Sequence, residues 1–217
     1  WTAVPTQAFL PPQGTDPLNH SRTYAMLHPA IHDALNAIRQ RYEFYTPGLP
    51  MFPGASEDAA VAAAAHSVLM QVVPGQQAFT HAAYLAALSE VPDGPAEDQG
   101  VLLGSMAAGS ILAHRANDGA EDAFSDTYVP SGQPGDYTFT PPFDTAPVGP
   151  FVFGPGWGEV TPFAVDVTAF HLPGPHRLQS AAYARDLAYV KAIGAADSAI
   201  RTAEQSEIAR FWYEDSP

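Results

Sequence analysis

The chain has 217 residues, of which 46% are hydrophobic and 15% charged, a composition that folds around a core instead of staying disordered. Nine basic residues against 23 acidic ones leave a formal charge of −14, which excludes a nucleic-acid footprint and disfavours an anionic membrane surface. Cysteine is absent, which removes disulfides, thiolate nucleophiles, zinc–cysteine sites and iron–sulfur clusters together, and no apolar run reaches the ~20 residues that span a bilayer.

The opening residues 1–13, with Pro5, Pro11 and Pro12, read as an extended arm. Asp16-Pro17 is a helix-start pair, an N-cap acceptor followed by a residue whose missing N–H costs nothing there. Tyr24, Leu27, Ile31, Leu35 and Ile38 then recur at helical spacing and define a core-facing stripe, with Pro29 expected to kink the helix near Ala25. Ser56 with Glu57 and Asp58 opens an alanine-rich second helix. The spacing predicts helices near 17–40, 57–73, 76–89, 95–117 and 180–193. In the fourth of these, Gly104, Ala107, Ala108 and Ile111 form a small-residue strip that lets a neighbour approach closely. Residues 119–176 are rich in Pro, Gly and aromatics and hold no period, with 151–153 and 163–165 as short strand candidates. Ser180 caps a helix carrying Tyr183, Leu187 and Val190 on one face, ended by Gly194. Thr202 to Gln205 is a capping box for a last helix bearing Ile208, Phe211 and Trp212. The fold class is therefore all-α, a helical bundle with one long irregular excursion between the fourth and fifth helices.

The sharpest constellation is His28, His32 and Asp33: two histidines at i, i+4 beside a carboxylate can ligate a metal. The glutamate of a metalloprotease helix is missing, and the favoured reading is structural, with the three groups buried, hydrogen-bonded and free of metal. Val129-Pro130-Ser131-Gly132-Gln133 looks like an anion-binding turn, but Gln133 stands where a histidine is needed, so it reads as a plain turn. Lys191 and Arg201 flank a helix junction where a phosphate would fit, although Arg201 is better placed to pair with Glu204 or to cap a carbonyl. His171 and His176 in the excursion are assignable to nothing by spacing.

Four stretches together resemble a known family: Ala25 to Ile38 around His28-Pro29-Ala30-Ile31-His32-Asp33, Ile111 to Gly119, Trp157 to Ala164, and Tyr189 to Trp212. In this order they are similar to the bacterial vanadium-dependent haloperoxidase-like branch of the type 2 phosphatidic acid phosphatase superfamily. Pro29 stands where that family usually has alanine. The resemblance implies an all-helical enzyme whose centre binds phosphate, or vanadate as its mimic, and acts on halide and peroxide or on a phosphate ester. It also implies that the family's anion-holding motifs (lysine to Arg-Pro, Pro-Ser-Gly-His, Arg to His) follow the Phe-Trp helix. They would then begin after Pro217, so the expectation is an amino-terminal half, without catalytic or cofactor-binding residues of its own, that packs against a carboxyl-terminal half. A chain opening on Trp1 also fits an exported protein, periplasmic or secreted, with its leader removed. Two alternatives stand beside this reading: a non-catalytic helical interaction module, and a small metal-binding protein built on His28 and His32.

Overall fold

The computed structural model describes residues 3–8, 17–125, 128–141, 144–147, 149–150, 152–170 and 172–213. The regular structure among these residues is helical, with no strand. The helices are α1 (Ala3–Ala8), α2 (Pro17–Ile38), α3 (Glu57–Val72), α4 (Gln77–Leu88), α5 (Pro95–His114), α6 (Ala120–Ser125), α7 (Ala181–Gly194) and α8 (Ala203–Trp212), with single 3-10 turns at Pro74–Gln76, Trp157–Glu159 and Val167–Phe170. The chain divides into two compact units, residues 1–127 with 153–163, and residues 128–152 with 164–217.

The first unit is built on α3. Ser56 accepts from the Ala59 amide and starts the helix, and Glu57 and Asp58 face its positive end. Ala59, Ala60, Ala62, Ala63, Ala64 and Ala65 are all buried, so α3 has no solvent stripe along this stretch; α2, α4 and α5 pack around it. Helix α5 begins at Gly94, whose φ of 141° favours glycine, and continues with Pro95 in the first turn. The Ser56 amide donates to the Ala96 carbonyl at 2.8 Å, which puts the starts of α3 and α5 side by side and makes the two helices parallel.

Their contact is backbone to backbone. A Cβ on Gly100 would lie 2.5 Å from the Ser56 carbonyl oxygen, and one on Gly104 would lie 2.3 Å from that of Ala60 and 2.7 Å from the Ala64 nitrogen. The Gly100–Gly104 spacing is the one that lets membrane helices touch, and here it meets a face of alanines. Leu103, Ala107, Ala108 and Ile111 extend the seam, all at 0% exposure. The strip expected at Gly104, Ala107, Ala108 and Ile111 is present and begins one turn earlier, at Gly100.

Helix α2 runs unbroken through Pro29. Its buried seam differs from the expected stripe. Leu27 and Ile38 are buried, but Tyr24, Ile31 and Leu35 lie only partly so, and Met26, Ala30, Ala34 and Ala37 take the deepest positions. Small residues win at the contact because they let the helix axes come close; the larger ones are turned to the flank. The arm expected to be extended holds α1, with Pro5 in its first turn; α1 packs against α4. Asp16 lies outside the described residues, as does Phe151 of one strand candidate; Phe163, Ala164 and Val165 form no strand.

In the second unit the predicted caps form. Ser180 accepts from the Tyr183 amide at 3.1 Å, and Thr202 and Gln205 make the reciprocal capping box. Tyr128, Tyr137 and Phe139 cluster edge to face, with the Tyr128 hydroxyl donating to the Tyr137 carbonyl at 2.7 Å.

One buried group stands out in α4: the Thr80 hydroxyl, at 0% exposure, has no hydrogen-bond partner among the described residues. Thr80→Val removes a desolvated hydroxyl and keeps the branched shape, so the variant should unfold at the same or higher denaturant concentration, gaining up to about 1–3 kcal/mol. A clear drop in the urea midpoint would mean that the hydroxyl is satisfied.

Candidate functional site

Of the residues singled out in the sequence, His28, His32 and Asp33 lie in the first unit, on α2, which meets the turn after α5 and residues 157–163. Two polar centres form there.

The first is built on Asp33 and Asn36, one helical turn apart on α2. Asp33 is 1% exposed and its carboxylate accepts three bonds: Tyr45 N–H and Thr46 N–H at 2.7 Å each, and the Thr46 hydroxyl at 2.7 Å. Asn36 accepts from the amides of Arg41 and Tyr42 and donates to the Tyr42 carbonyl at 2.8 Å. Together they dock the chain that leaves α2 back along the helix that it has just left. Tyr45 extends this tie, its hydroxyl donating to the Phe163 carbonyl at 2.7 Å while its ring meets His114 edge-on.

The histidines depart from expectation. His28 is exposed, its ring lying along Tyr24, and His32 has 40% of its side chain exposed. The His32 Nε2–H donates to the Glu43 carbonyl at 3.0 Å. Being one position round from a seam of alanines places both at the solvent edge, while Asp33, on the opposite side of His32, is drawn inward by three donors. The described residues contain no group of three or more His, Asp or Glu side chains able to hold a metal.

The second centre was invisible to spacing arguments. Arg115, just past α5, is 2% exposed, the largest fully buried side chain. It pairs with Asp118 at 2.8 Å, donates to the carbonyls of Thr161 and Pro162, and lies 3.9 Å from the centre of the Phe163 ring. Arg22 of α2 reaches the same carboxylate in a fork, at 2.8 and 3.0 Å, and also donates to the Arg115 carbonyl. Asp118 in addition accepts from the Ala120 amide at the start of α6, and its own carbonyl takes the Thr161 amide at 2.8 Å. Burial raises the Asp118 pKa, but the hydrogen bonds from Arg22 and Ala120 and the charges of both arginines outweigh it, and the carboxyl ends below 3.8.

Two open hollows flank the first centre. One, of about 410 Å³, is lined by His32, Leu35, Asn36, Arg39, Arg41, Tyr42 and Glu57, with Arg39 already paired to Glu57 at 2.9 Å. The other, of about 440 Å³, lies over His28, Pro29, His32 and the 43–45 turn.

The other sequence candidates are engaged locally. Ser131 bonds the Asp136 carboxylate and accepts from the Gln133 amide, a turn closed on itself. Arg201 does not reach Glu204; it donates to the carbonyls of Ile193, Ala195 and Ala196 and to the Ser206 hydroxyl, closing the end of α7. Lys191 is exposed on α7. His176 lies 3.8 Å from Asp186, and His171 is outside the described residues.

Every buried cation described here is thus matched, by Asp118 or by carbonyls. Their chemistry is that of a structural network. Comparison with protein-family models, with curated proteins and with solved structures finds no match.

Asp118→Asn leaves Arg115 buried without its counter-charge and should cost about 3–5 kcal/mol at pH 7. The native carboxyl has a lowered pKa, so its stabilisation is complete above 3.8 and is lost as pH falls through the folded value. Guanidinium unfolding from pH 7 to 2.5 should show the gap between wild type and variant closing only below about pH 4. A gap constant across that range would mean that Asp118 is not the responsible group.

Proposed function

We propose that these helices are the scaffold portion of a vanadate-dependent haloperoxidase or a related phosphatase, and that the oxyanion is held by residues outside 1–217. The observation that carries this is the apolar surface of the last two helices. Leu187, Tyr189 and Val190 of α7 are 48–62% exposed, and Ile208, Phe211 and Trp212 of α8 are 51–78% exposed. Both helices are properly capped, so their sequence specifies helix while leaving large apolar side chains uncovered. Such faces are what a helical scaffold presents to further chain that packs on it. The four stretches that resemble the family add a second support: two of them, Ile111–Gly119 and Trp157–Ala164, meet through Arg115, Asp118 and Thr161.

In this reading the described residues contribute rigidity, and the charge capture that drives such chemistry belongs to cations elsewhere. The halide, peroxide or phosphate ester would meet those cations, with vanadate or phosphate as the bound anion. No described helix is long and apolar enough to cross a membrane.

The reading is tested on the gene and on the protein. The coding sequence after the Pro217 codon is expected to contain Lys to Arg-Pro, Pro-Ser-Gly-His and Arg to His motifs, and its full product to oxidise bromide with peroxide and vanadate or to hydrolyse a phosphate ester. Residues 1–217 alone should give no saturable vanadate heat in calorimetry. Saturable binding by 1–217, or a stop codon directly after Pro217, would overturn it; the stop codon would favour the helical interaction module, whose partner covers α7 and α8.

A further inference from the structure

On the opposite flank of the first unit, α3 and α4 run back to back across the 3-10 turn at Pro74–Gln76. Each carries one histidine at this face. The His81 Nδ1 and His66 Nε2 atoms are 3.2 Å apart, with ring centres at 5.3 Å. Tyr84, one turn beyond His81 on α4, stacks flat on the His66 ring at 4.2 Å and 16°, and so fixes that imidazole in place. His66 is half-buried and His81 is exposed.

We propose that His66 and His81 form a two-histidine site for a divalent transition metal such as Zn²⁺, clasping α3 to α4, with water completing the coordination. Imidazole nitrogens bound to one tetrahedral zinc at about 2.0–2.1 Å stand about 3.3 Å apart. The observed pair already has that separation. Without metal one ring must donate its N–H to the other, since two lone pairs or two N–H groups facing at this distance repel. Binding needs both facing nitrogens unprotonated, which asks for the tautomer change and for the rings to turn until both lone pairs converge on the metal. The i, i+4 pair of α2 is less suited: the His32 Nε2 is bonded to the Glu43 carbonyl and the His28 ring lies on Tyr24.

A metal held by two elements of the folded chain stabilises it by mass action, because the unfolded chain has no such pair in place. The test is a titration of tag-free protein with zinc chloride in chelator-free buffer, followed by calorimetry and by thermal melting. The expected result is one zinc per chain and a raised melting midpoint. His81→Gln, a surface change with the fold checked by circular dichroism, should lose both effects; His66→Gln should do the same, and His28→Gln should retain both. Absence of binding, binding that survives His81→Gln, or binding that is lost with His28→Gln would overturn the proposal.

Discussion

Helices α3 and α5 lie side by side with carbonyl oxygens of one against α-carbons of the other, a contact that exists only because positions 100 and 104 lack a side chain. At that separation no large residue fits between the helices, which is why α3 meets Gly100 and Gly104 with Ala59, Ala60, Ala63 and Ala64. Close packing of many small groups supplies dispersion that a looser, larger-residue interface would have to replace with bulk. Helix α2 follows the same rule with Ala30, Ala34 and Ala37, and the rest of the first unit is set by where these three helices end.

What the ends deliver is a polar layer. As α5 stops at His114, Arg115 enters the interior, where a guanidinium is tolerable only with a full set of partners: Asp118, two carbonyls and an aromatic face. Arg22, arriving from α2, shares the same carboxylate, so the network forms only when α2 and α5 are correctly placed. Asp33 and Asn36 act in the same way on the segment after α2. The charged and polar groups most suggestive of chemistry are therefore spent on holding loops to helices. In the proposed haloperoxidase or phosphatase reading the oxyanion is therefore held by residues beyond those described, and the proposed two-histidine clasp on the far flank does not depend on that reading.

Helix positions were legible because capping is local: Ser56, Ser180 and Thr202 each bond an amide three residues on, and that spacing is written in the sequence. Gly194 and Pro95 mark ends and starts for equally local reasons. Hydrophobic size alone points to Tyr24, Ile31 and Leu35 as the inner face of α2 and puts His28 beside it, whereas closeness of approach selects alanine and leaves His28 at the solvent edge. Of the groups around Arg115 only Asp118 is near in sequence; the carbonyls and ring at 161–163, and the Arg22 that shares Asp118, lie far along the chain, so no spacing rule places this guanidinium inside. The α6 turn, six residues long, had too little period to detect within the 119–176 excursion. The close meeting of His66 with His81 likewise depends on how the turn at 74–76 sets α4 against α3, a relation that no spacing rule supplies.

The backbone contact itself is tested most directly by making one substitution at two glycines of α5. Gly109 faces open space, with nothing within 4 Å of an added Cβ, whereas at Gly104 that atom would overlap the Ala60 carbonyl and the Ala64 nitrogen. Urea unfolding should show Gly109→Ala more stable than wild type by about 0.5–1 kcal/mol, from helix propensity alone. Gly104→Ala should be less stable by about 1–3 kcal/mol despite the same gain in propensity, because backbone cannot give way as a flexible side chain does. Equal stabilisation by both would contradict the account, since it would mean that α3 and α5 are far enough apart to admit a methyl group between them.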